Sequence, residues 1–389
     1  MRHTFALVAA LLIPTFGASQ AATAGDASAT TDSSMRTEWK VRSAAGMDAL
    51  LIIGAAGGDV MQSHYYPETI AYVRDNISAE GVAAMDELDA MLRQRMGRLT
   101  GPSLASLFSA GPIATIDDVI ASAEDPVGRL RAGNKASPRW NEKEFENATR
   151  SMPIIREALV ALRDMGFTEW YAREHQPAID KAIDANLSAV STYDVIPEQE
   201  RLLGWTLNPE IEIVIVAFSK PYGIRILGQR FVAFHGYEGS IQLHIAAHEI
   251  FHAPYDKNDP ELNELLTSLR EDPWMTSIVE DHDPQYGYNS FNGVVDEDST
   301  QALDQIVAER LGFAENPRER WSKSDGGMHM LAADIYHAMK EDGFADLGGS
   351  YEDWFKSALQ RDLLSPDNVR RRAAEVAGQD IVDSWGPHR

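Results

Sequence analysis

The stretch HEIFH places His248 and His252 four residues apart, with Glu249 directly after the first histidine. On a helix, side chains at i and i+4 project from one face, a turn apart. Two imidazole nitrogens can then reach one Zn²⁺ at about 2.0–2.1 Å each. Glu249 falls beside the ion, where a carboxylate can take the proton of a water that the metal acidifies. The pattern predicts hydrolysis by a zinc-activated water, with His248 and His252 as ligands and Glu249 as general base. His244 extends the series by a further four residues. Its separation from His252, about 12 Å along a helix axis, is too long for one tetrahedral ion to bridge, and His244 reads as an ordinary helix residue.

Two side chains leave a zinc ion short of protein ligands. The metzincin continuation would need glycine at 255 and histidine at 258, where Tyr255 and Asn258 stand. A glutamate on a later helix is the remaining solution, and there are two candidates. Glu271 ends a helical stretch before Asp272-Pro273, where an exposed charge is expected. Glu297 lies in VVDEDSTQALDQIVAERLG, in which Ala302, Leu303, Ile306, Val307 and Leu311 predict a helix with a buried stripe. With Glu297 in the first turn of that helix, it is the preferred third ligand, and Glu271 stays as the alternative. Acyl transfer also needs a donor for the oxyanion. His329 in GGMHMLAADIY is preferred for this, ahead of Tyr286, Tyr288 and Tyr336.

These residues need a frame. The motif helix is expected to start at a Ser240 cap and to stop at Pro254, with Ile241, Ile245 and Ile250 as its apolar contacts. Before it, IEIVIVAFS (211–219) and IRILGQRFVAFHG (224–236) read as strands on either side of a Pro221-Tyr222-Gly223 turn. FVAFHG is either an edge able to take an extended peptide or a plain core strand. Upstream, Met47–Ala56, Ser78–Arg95, a helix capped by Ser151 and stopped by Gly166, and Trp170–Val190 bent near Pro177 all carry helical patterns. The expected fold is α+β and mostly helical. A helical region over 36–203 precedes a zincin-like catalytic region over 204–389, whose small antiparallel sheet packs on the motif helix.

Composition narrows the function further. The chain has 389 residues, 44% of them hydrophobic and 24% charged, enough apolar material for a sizeable core. It has no cysteine, which excludes disulfides, thiolate ligands and a cysteine nucleophile. A formal net charge of −24 repels nucleic acid and anionic lipid, so the expected partner is a peptide or protein substrate. The N-terminus, MRHTFALVAALLIPTFGASQAATAG, combines Arg2, a short apolar run and an Ala22-Thr23-Ala24 cleavage pattern. It predicts a cleaved signal peptide over 1–24, a disordered segment over 25–35, and a periplasmic or secreted protein without a membrane anchor.

HEIFH paired with the downstream EDSTQA segment (297–302) resembles the glutamate-ligand zinc peptidases, the gluzincins. More narrowly, the chain resembles a group of exported bacterial proteins that carry HExxH in a domain of unknown function, with alanine five positions after the glutamate, here Ala302. The resemblance covers mainly residues 205–340. It implies His248, His252 and Glu297 as zinc ligands and Glu249 as catalytic base. Thermolysin-like members often carry aspartate one turn after the glutamate ligand, orienting a histidine. This chain has Gln301 there, and Asp304 one turn farther along. Two other functions use the same residues: a non-catalytic peptide- or protein-binding module on this scaffold, and a cell-wall peptide hydrolase.

Overall fold

The structure is a computed structural model that describes residues 10–12, 35–95, 99–137, 140–252 and 254–386. The expected signal peptide and disordered segment lie outside the described residues, apart from Ala10–Leu12 and Met35. The fold is mostly helical with one small sheet, the expected α+β class. Its compact units do not follow the expected boundary near residue 204. One unit comprises Trp39–Thr192 and Glu210–Ala246 together with the short N-terminal strand, and the other comprises Tyr193–Pro209 and Ala247–Arg389 with the segment before Trp39. The strands thus belong with the N-terminal helices.

In the first unit, the helix Ala45–Ala56 is apolar on every side and almost wholly buried. Leu50, Leu51, Ile52 and Ile53 have no exposed surface, so the helix is a core element rather than an amphipathic surface one. Gly54 allows the helix Thr100–Phe108 to approach, since a Cβ there would lie 2.8 Å from the Gly101 amide nitrogen. The sheet contains β1 (Ala10–Leu12), β2 (Glu38–Ser43), β3 (Glu210–Val216), β4 (Tyr222–Ile226) and β5 (Arg230–Phe234), in the order β1-β4-β5-β3-β2. The continuous β-branched run of β3 fits a strand buried on both faces.

The long second strand of the sequence analysis is in fact two. Gly228, with φ +75°, turns the chain between β4 and β5. The sheet is mixed rather than antiparallel: β5 runs antiparallel to β4 and parallel to β3. FVAFHG therefore supplies an interior strand, paired on both sides, and offers no edge to a peptide. The motif helix does pack on the sheet, at Gly223 of β4, where a Cβ would lie 3.0 Å from Ile245 Cδ1.

One buried charge ties the apolar helix to the end of β3. Asp48 accepts hydrogen bonds from the Tyr171 hydroxyl at 2.6 Å, from the Ala217 amide at 2.8 Å and from the Phe218 amide at 3.0 Å. Burial outweighs these bonds and pushes its carboxyl up to about 7. A carboxyl raised in the folded state stabilises fully below its unfolded value of 3.8, and that contribution is lost as pH rises towards about 7. Asn at this position keeps the acceptor oxygen and removes the titration. Across this window the wild type should lose on the order of 4 kcal/mol relative to Asp48→Asn, read from urea unfolding at stepped pH. Parallel stability profiles for the two proteins would contradict the assignment.

Candidate metal centre

The motif helix spans Gly239–Glu249, so it begins one residue before the expected cap and ends before the second histidine. The Phe251 amide donates to the His248 carbonyl at 3.0 Å, and the His252 amide to the Glu249 carbonyl at 3.4 Å. These i→i+3 bonds tighten the chain, and His252 stands on a turn rather than on a continuing helix face. The rings still converge: the two Nε2 atoms are 3.0 Å apart.

Glu297 completes the group. Its Oε1 lies 3.6 Å from His248 Nε2 and its Oε2 lies 3.5 Å from His252 Nε2. It sits in the second turn of the helix Phe291–Leu311, not the first, because that helix starts earlier, at a Ser290 cap that accepts from the Gly293 amide. His248, His252 and Glu297 are buried, and together they could hold a metal ion. Ligand atoms 2.0–2.2 Å from a shared tetrahedral ion lie about 3.4 Å from one another, and the three observed separations bracket that value. Glu271 is exposed, and among the described residues it is not part of this group. His244 is half-buried and likewise outside it.

The outer nitrogens fix how the rings present themselves. His248 Nδ1 donates to Asp304 Oδ2 at 2.8 Å, which leaves the lone pair of a neutral ring on Nε2. His252 Nδ1 faces Thr300 Oγ1 and Asp296 Oδ2, each at 3.4 Å. Two lone pairs 3.0 Å apart repel unless positive charge lies between them. Burial disfavours charge on His248, yet Glu297 and Asp304 outweigh it and lift the ring to about 10. Burial would likewise raise the Glu297 carboxyl, but the two imidazoles hold it well below the usual carboxylate range. These three side chains could thus hold a cation among them.

A further layer of contacts locks this arrangement. Arg320 grips Asp304 through two bonds, Nη1 to Oδ1 at 2.5 Å and Nη2 to Oδ2 at 2.9 Å. Burial raises the Asp304 carboxyl, Arg320 and His248 lower it, and the net direction is down. Gln301 Nε2 donates to Glu297 Oε1 at 3.0 Å, and Trp321 Nε1 donates to Gln301 Oε1 at 3.0 Å. Lys257 pairs with Asp296. Asp304 therefore does what the substitution of Gln301 had put in doubt, and Gln301 orients the glutamate instead.

Glu249 is fully buried beside His248. The phenol of Tyr288 is also buried, and burial first and the Glu297 charge second raise it well above the usual tyrosine range. Tyr336 is committed elsewhere, to Glu309 at 2.5 Å. Tyr286 lies over Gly326, whose added Cβ would come 3.6 Å from the ring. His329 is buried with both nitrogens engaged, Nδ1 by Asp298 at 2.6 Å and Nε2 by Asp325 at 2.9 Å. As it stands, the preferred oxyanion donor has no N–H left for a substrate oxygen.

Thr300 and Asp296 were not expected as partners of the histidines, and Asp304, noted one turn beyond Gln301, was given no role. The signal for Asp304 was available, since i, i+4 and i+7 share a helix face and place Glu297, Gln301 and Asp304 together. Asp304→Ala should keep metal stoichiometry while weakening divalent-metal affinity by about 10–100-fold, measured by competition with a chromogenic chelator. His244→Ala should leave affinity unchanged. Wild-type affinity in Asp304→Ala would show that its bond to His248 is incidental.

Comparison with protein-family profiles, with curated proteins and with solved structures finds no match for this chain.

Proposed function

We propose that this chain is an exported zinc metallopeptidase in which Glu249 is the general base. The observation that carries this reading is the convergence of His248, His252 and Glu297 with a fully buried Glu249 on the same turn as the first histidine. Structural zinc sites use four protein ligands, whereas catalytic sites use three and keep one position for water or substrate. Among the described residues, three side chains converge here. The two-nitrogen, one-oxygen donor set and its tetrahedral spacing suit zinc better than calcium or magnesium, which take mainly oxygen ligands.

When bound, zinc would act as a Lewis acid that polarises a peptide carbonyl and acidifies water. The chain's own residues supply the remainder. Asp304 and Arg320 keep the His248 lone pair aimed inward, and Gln301 and Trp321 hold the Glu297 carboxylate. Glu249 takes the proton of the attacking water and passes it to the leaving amine nitrogen. The peptide class of substrate rests on the HExxH pattern with its glutamate partner. Export rests on the N-terminal leader pattern, and no described helix is long and apolar enough to cross a membrane.

Glu249→Gln should retain one equivalent of zinc and lose hydrolysis of a mixed peptide library by a factor of at least about 10²–10⁴, followed by mass spectrometry of the products. Undiminished cleavage by that variant would end the mechanism.

A further inference from the structure

His329 is held by two carboxylates of very different character. Asp298 has no exposed surface, belongs to the helix Phe291–Leu311, and takes a second bond from the Ala332 amide at 3.1 Å. It is a permanent fixture. Asp325 is partly exposed and sits in the kinked segment Ser324–Gly327. There three successive residues have positive φ: Asp325 at +46°, Gly326 at +69° and Gly327 at +78°. Glycine adopts that conformation freely, but a residue with a Cβ is strained there, aspartate and asparagine the least. The segment is anchored at Gly327, whose carbonyl accepts from Trp385 Nε1 at 2.8 Å. Gly326 lies beneath the Tyr286 ring, and Asp325 is tied to the rest of the unit through His329.

The bond that Asp325 makes lies in the same cluster as the metal ligands. The His329 ring packs edge-on against Tyr288 with centroids 5.4 Å apart, and its Nδ1 partner Asp298 directly follows Glu297 in the chain. Burial opposes charge on His329, but Asp298 and Asp325 outweigh it and lift the ring to about 10, so both of its nitrogens donate. A cationic N–H in a buried pocket is a strong donor for an oxyanion.

We propose that Asp325 is a displaceable positioning residue: it occupies the Nε2–H of His329 in the resting protein and gives way to a substrate oxygen during turnover. Strain in the turn lowers the cost of release, and the Nδ1 bond to Asp298 keeps the ring aimed while the carboxylate is away. The proposal rests on the peptidase reading, because it needs a developing oxyanion to compete with Asp325.

The test uses the zinc-loaded full chain and an N-acetylated dipeptide phosphonate, whose oxygens mimic a tetrahedral oxyanion. Affinity is measured by calorimetry, and the His329 side-chain ¹⁵N resonances are followed by NMR. Asp325→Gly relieves the turn and removes the competing carboxylate, so it should bind the phosphonate several-fold more tightly than wild type. In the wild type, the phosphonate should shift the His329 Nε2 signal and leave Nδ1 nearly in place. Asp325→Asn keeps the side-chain size, tolerates the left-handed turn and carries no charge; it should move affinity in the same direction if Asp325→Gly fails to fold. Equal or weaker binding by the variants, with the Nε2 signal unmoved, would overturn the displacement and leave the peptidase reading standing. Failure of the phosphonate to bind any of the zinc-loaded proteins would overturn both.

Discussion

A carboxylate without solvent, facing two imidazole rings, is the constraint that organises the second unit. Glu297 is 1% exposed, and stripping water from a carboxylate costs several kcal/mol even after relaxation. The cost is tolerable only where positive charge is held close by, and the rings of His248 and His252 are aimed to hold it. Their aim depends in turn on Asp304 and Asp296, themselves buried carboxylates that call for Arg320 and Lys257. Each charge brought in to satisfy one group needs a partner of its own, and the chain of partners stops only where side chains reach solvent.

The helix Phe291–Leu311 carries most of this burden. From Asp296 to Gln301 it is buried at every position and polar at every position, and Asp304 and Gln305 continue the pattern. Helices that are buried all round are ordinarily apolar. This one succeeds because separate segments each meet one of its groups: Lys257 meets Asp296, His329 meets Asp298, and Arg320 meets both Asp304 and Gln305. A buried polar network of this kind favours one arrangement, because loss of any partner strands a buried group. A single arrangement is what a metal centre needs, since ligand atoms misplaced by an ångström no longer share one ion.

Much of this was legible in the residues. The two-histidine motif and the alternation of apolar positions around 302–311 were enough to pair a helix with Glu297. The helical upstream region and the break before Pro177 were equally readable, because proline and glycine act locally. What escaped was of two kinds. His252 left the helix because the last turn tightened, an adjustment that a spacing of four does not encode. The pairing of His329 with Asp298 and of Asp304 with Arg320 depends on how the loop after Gly312 returns the chain, and no periodicity reports that path. Local rules read the ligands well; the groups that aim them come from distant segments.

The buried polar helix also constrains the order in which this part of the molecule can assemble. The helix Ala45–Ala56 gains apolar burial as soon as it meets almost any other greasy surface. Phe291–Leu311 has no such latitude in its middle turns, which remain better solvated by water until their particular partners arrive. Its closed arrangement is therefore favoured only with those partners in place. A cation joining His248, His252 and Glu297 would stabilise that closed arrangement over any open one, so metal supply would add directly to the stability of the fold.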